Sequence, residues 1–95
     1  MIIGVCHLDL IIEGNSSLKG KRQVLKRVIG RVKQKFNVSI AEVGENDKWQ
    51  RVQVAFCVVG NDKKYVNSSL DKITNFIDDL RVVDILNSEI EILDY

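Results

Sequence analysis

An α+β fold with the element order βαββαβ is what this 95-residue sequence predicts, and three observations carry the prediction. Residues 17–36 and 63–80 place apolar side chains at helical spacing, whereas 2–13, 38–43, 51–59 and 83–93 are rich in branched apolar residues or alternate strictly. Turn signals, Gly14–Asn15, Gly44–Lys48 and Gly60–Asn61, fall between most of them. Right-handed crossovers fold that order into a ferredoxin-like sandwich: a four-stranded antiparallel sheet, strands one and three central, with two helices on one face.

The first strand, 2–13, assigns Gly4, Cys6, Leu8, Leu10 and Ile12 to the core face, and Ile3, Val5, His7, Asp9 and Ile11 to the other. That second face is too apolar for a sheet surface bathed in water, so Ile3, Val5 and His7 are expected at an interface, with a homodimer as its simplest form. His7 and Asp9 share this face, where a hydrogen-bonded structural pair is expected rather than an acid–base dyad.

Residues 17–36 form the basic helix, with Ser16 or Ser17 as N-cap. At about 100° per residue Leu18, Leu25, Val28, Ile29, Val32 and Phe36 make one stripe against the core. This stretch holds eight of the chain's 14 Lys and Arg and none of its 13 acids. Lys19, Lys26 and Lys33 run down one flank, and Arg27, Arg31 and Lys35 lie outside. Lys19, Lys21 and Arg22 crowd the N-terminus, where the macrodipole disfavours cations by about 0.3–1 kcal/mol each, an arrangement that a bound phosphate would offset. Lys19, Lys21, Arg22, Lys26, Arg27, Arg31 and Lys33 are therefore the candidate nucleic-acid contacts, with an acidic protein surface or plain solvation as the other readings.

The second and third strands, 38–43 and 51–59, form a hairpin in which Val52, Val54, Phe56 and Val58 face the core. Trp49, near its turn, is expected either to cap the end of the core or to stand exposed for a partner such as another copy. Asp62 caps the second helix, with the stripe Val66, Leu70, Ile73, Phe76, Ile77 and Leu80. The last strand tolerates an irregularity at Asn87 and Ser88 if it lies at an edge.

Ninety-five residues are expected to make one domain, 1–95, and 45% hydrophobic with 28% charged residues is an ordinary globular composition. No apolar run is long enough to span a bilayer, and the apolar start, broken by His7 and Asp9, does not resemble a signal peptide, so a cytoplasmic location is expected. Cys6 and Cys57 lie in separate apolar runs and are expected to be reduced and buried. With one His and no clustered Cys the sequence offers no metal site, and nothing in it calls for a cofactor. Cys6 and His7 point to opposite faces, which argues against a nucleophile and base pair. The loop of residues 14–19 matches the phosphate loop of acylphosphatases only in position. Base stacking in the manner of an RNA-recognition motif is not expected, because the one aromatic on the central strands, Phe56, faces the core.

The segments SLKGKRQVLKRVIGRV and FNVSIAEVGENDKWQR resemble the signature of the YlxP-like family, small bacterial proteins with a domain of unknown function. The likeness runs over the whole chain and rests on Ser17, Leu18, Lys19, Lys21 and Arg22 with Phe36, Asn37, Val38, Ser39, Ala41, Glu42, Val43, Asp47 and Gln50. It implies a ferredoxin-like fold and a gene beside translation and ribosome-assembly genes, and it brings no catalytic residues. The resulting expectation is a non-enzymatic accessory protein bound to RNA or the ribosome through the basic helix. A protein-interaction or oligomerisation module stands second and a small-ligand sensor third.

Overall fold

The computed structural model describes residues 1–44 and 48–95; most of the expected turn Gly44–Lys48, and Asp47 of the family signature, lie outside the described residues. The elements are β1 (Ile2–Ile11), α1 (Leu18–Lys35), β2 (Ser39–Glu42), β3 (Arg51–Gly60), α2 (Lys63–Asp79) and β4 (Asp84–Asp94). The four strands form one antiparallel sheet in the order β2-β3-β1-β4. This is the predicted ferredoxin-like topology.

Alternation along β1 and β3 decides what is inside. Cys6, Leu8 and Leu10 of β1 and Val52, Val54 and Phe56 of β3 are buried beneath Val28 and Val32 of α1 and Val66, Leu70, Ile73 and Ile77 of α2. At Gly4 α2 packs tightly on β1: a Cβ there would overlap Val66 Cγ1 and lie 2.9 Å from Leu70 Cδ1. The helices meet each other through Phe36 and Phe76, edge to face at 5.4 Å, with Lys35 Nζ 4.9 Å above the Phe76 ring.

Local differences from the sequence reading have local causes. β1 ends at Ile11 rather than residue 13, although Ile12 stays buried and its N–H donates to Gln50 O at 2.7 Å. β2 keeps only Ser39–Glu42 of the expected 38–43. Leu18, placed at the head of the α1 stripe, is the first residue of the helix and is 47% exposed. The irregularity in β4 sits one residue earlier than expected: Asp9 pairs with Asn87 and Leu10 with Ile85, which leaves Leu86 as the extra residue. Cys57 is exposed on the open sheet face, as its alternation with Phe56 requires, and only Cys6 is a buried thiol.

Candidate nucleic-acid interface

The basic helix begins at Ser17, whose Oγ accepts from Gly20 N–H at 3.0 Å, and it carries no acid in its first turn. Six of the seven predicted cations, Lys19, Arg22, Lys26, Arg27, Arg31 and Lys33, are exposed on it. They do not form one ridge. Lys19, Arg22 and Lys26, with Leu18 and Gln23, line a shallow trough of about 470 Å³. Arg22, Lys26 and Lys33 line a second of about 460 Å³ whose apolar side is Leu25 and Ile29 and whose far wall is Glu42 of β2. The two troughs share Arg22 and Lys26, so a continuous cationic track runs along the flank of α1. Arg27 and Arg31 line neither trough.

Lys21 corrects the sequence reading. At about 100° per residue it falls inside the sector of Leu25, Val28 and Val32, and it is buried, with 5% of its surface exposed. Its Nζ donates to Lys48 O at 3.4 Å and lies 4.0 Å from Glu42 Oε2. Lys21 is therefore not a surface for a ligand; it ties α1 to the hairpin, its aliphatic stem packed inward.

The same end of the molecule is fastened by Asn15, whose Nδ2 donates to Ser17 O at 2.9 Å and also to Trp49 O, while Gln50 Nε2 donates to Asn15 O at 3.4 Å. Residues 48–50 are thus held by the β1–α1 loop and by the first turn of α1. Nothing in the sequence pattern announces this clamp, because its partners are 34 and 35 residues apart. Trp49 does not cap the core: it is 51% exposed and lies outside the hydrophobic cluster.

On the open face of the sheet Ile3, Val5, His7, Asp9 and Ile11 are half-buried along β1. Ile3 lies between Val59 and Leu93, both exposed, so one end of this face is apolar. His7 lies opposite Glu89 and, with Val5 and Glu91, lines a shallow concavity of about 320 Å³. The expected His7–Asp9 pairing is not formed; Asp9 Oδ1 is buried without a hydrogen-bond partner. Among the described residues no group of three or more His, Cys, Asp and Glu is placed to hold a metal ion. Nor is any described helix long and apolar enough to cross a membrane.

Three kinds of likeness bear on this architecture. Among solved structures, a structural-genomics protein, YJCS, superposes with a TM-score of 0.61 at 8% identity, covering 97% of this chain and 99% of that one. A de novo designed protein with ferredoxin fold gives 0.55 at 18% identity, covering 98% and 84%. SnoaB, a cofactor-independent oxygenase from Streptomyces nogalater, gives 0.52 at 12% identity, covering 99% and 92%. At such identities these show the fold alone. In sequence, the uncharacterized protein YlxP of Bacillus subtilis (strain 168) is 42% identical over 77 residues, which is 81% of this chain and 84% of that protein. Residues 3–90 match the family described as protein of unknown function, DUF503, and this chain belongs to that family.

Proposed function

We propose that this protein is a non-enzymatic accessory factor that binds RNA, on or off the ribosome, through the flank of α1. The observation that supports the reading is the track of Lys19, Arg22, Lys26 and Lys33, exposed along two connected troughs on a helix without a single acid. Lys19, Lys26 and Lys33 recur about 10.5 Å apart, at 1.5 Å per residue, so one extended backbone can meet all three. Phosphate contacts of this kind give affinity with little dependence on base sequence. The separation of Cys6, in the core, from His7, on the open face, fits a binding role better than a nucleophile and base.

Co-sedimentation with ribosomal subunits and RNA binding, each at low and high salt, test the proposal. Affinity is expected to fall with salt by about 0.7 in log K per log salt for each single-strand phosphate contact. Lys26→Glu, on the shared wall of both troughs, is expected to weaken binding and flatten that slope. Arg31→Glu, outside both, is expected to do so less. Binding that neither salt nor Lys26→Glu alters would refute it.

A second reading, a protein-interaction or oligomerisation module, is favoured by a separate observation: the apolar end of the open sheet face, where Ile3 is flanked by Val59 and Leu93. A homodimer joined there is compatible with RNA binding on α1, because the two surfaces lie on opposite sides of the sheet.

A further inference from the structure

We propose that Trp49 is a stacking platform for an unpaired base, so that the RNA taken by α1 is single-stranded. This rests on the reading of α1 as an RNA-binding surface and adds to it the class of RNA.

Folding does not explain the exposure of the indole. Burying an aromatic of this size is worth far more than leaving it in water, yet Trp49 is half exposed. It lies in a shallow concavity of about 300 Å³ lined with Lys48, Gln50 and Arg51. Its backbone is nevertheless fixed. Trp49 O accepts from Asn15 Nδ2, Lys48 O from Lys21 Nζ, and Gln50 O from Ile12 N–H. An exposed aromatic on a held backbone is pre-organised in its main chain for a flat ligand, which leaves only the side chain to be ordered on binding.

Its position supplies the rest. Asn15 bonds Trp49 O and Ser17 O at once, so the tryptophan backbone sits against the N-cap of α1, where the trough of Leu18, Lys19, Arg22 and Lys26 begins. Cations along a track with an aromatic at its end are the two parts that single-strand binders combine, phosphates following the charges and a base lying on the ring. A duplex keeps its interior bases stacked on each other and offers the indole a face only at its ends.

Trp49 is the chain's sole tryptophan, so intrinsic fluorescence of the whole protein reports on this site alone. The probes are ten-nucleotide single strands of uridine or adenine and a ten-base-pair RNA duplex at equal phosphate concentration and low salt, and a ten-residue acidic peptide at the same salt. Saturable quenching by the single strands and much weaker quenching by the duplex, through its ends alone, is expected. Trp49→Ala is expected to weaken single-strand binding about 5- to 150-fold, the range of one lost stack, with Trp49→Phe recovering most of it. Lys26→Glu should weaken binding while leaving the quench at saturation unchanged. RNA binding without quenching, equal quenching by the duplex, or an unchanged affinity of Trp49→Ala would overturn the stacking proposal and leave the α1 reading standing. No binding of either RNA at low salt would overturn both. Quenching only by an acidic peptide would do the same and mark the site as a protein contact.

Discussion

Replacing Gly20 by Ala separates the stability of the fold from the placement of Trp49. Gly20 is the third residue of α1, and an alanine there gains about 0.8–1.0 kcal/mol in helix propensity. The new Cβ, however, would overlap Asn15 Oδ1 and stand 3.2 Å from Ser17 Oγ. Backbone on both sides is fixed, so the amide of Asn15, the end of a short mobile side chain, is what gives way. Its departure removes the two bonds from Nδ2 to Ser17 O and Trp49 O. Both are exposed, so water replaces them and each is worth about 0.5 kcal/mol, the low end of the usual range, or about 1 kcal/mol for the two. Gain and loss then nearly cancel, and thermal denaturation followed by circular dichroism should show a melting temperature within about 5 °C of the parent, about 1 kcal/mol for a domain of this size. Trp49 should nonetheless change: its fluorescence anisotropy falls as the clamp opens, and single-strand affinity falls with it. Asn15→Ala should reproduce the change at Trp49 without the propensity gain, and so melt lower. An unaltered Trp49 anisotropy in both variants would refute the clamp.

The same substitution at Gly4 is expected to behave oppositely, because the atoms that meet its Cβ belong to Val66 and Leu70, both fully buried; overpacking of about 1–3 kcal/mol should lower the melting temperature by about 5–20 °C, and a shift under 3 °C would show that α2 can ride up on the sheet. Asp9→Val removes the buried acceptor without a partner and should raise stability by about 1 kcal/mol in denaturant unfolding; a loss of stability would mean that Oδ1 is satisfied in solution. Ile3→Lys or Val5→Lys, on the open face, should shift any dimer toward monomer in sedimentation velocity while circular dichroism stays unchanged. A parent that is monomeric at high concentration would dispose of that interface.

Alternation in β1, β3 and α2 was enough to place the core, since burial of one face is a periodic property that each strand or helix carries within itself. Lys21 shows where residue type misleads: its helical angle puts it among Leu25, Val28 and Val32, and only its charge argued for the surface. Cys57 is the converse, an apolar residue whose alternation already put it outside. The division of the basic ridge into a track and two outlying arginines needed the position of β2, because Glu42 makes the far wall. The clamp on Trp49 was illegible for a related reason: Asn15 finds Trp49 only after β1 and β3 have paired and brought two distant loops to the same end of the sheet.

The edges of this sheet also restrict how two molecules can meet. β2 offers only four residues to a neighbouring strand, too short a template for a stable ladder. β4 is long, 11 residues, but Leu86 breaks its register, and Asp84, Glu89, Glu91 and Asp94 make it acidic along its length. Two such strands laid antiparallel in a register that sets Glu89 against Glu91, or Asp84 against Asp94, would oppose carboxylate to carboxylate, which cross-strand pairing penalises. Growth of the sheet from copy to copy, the route to fibrils and insoluble aggregates, is thereby guarded at both borders. A chain with so apolar an open face can then remain dispersed at high concentration, provided that face has a cover of its own.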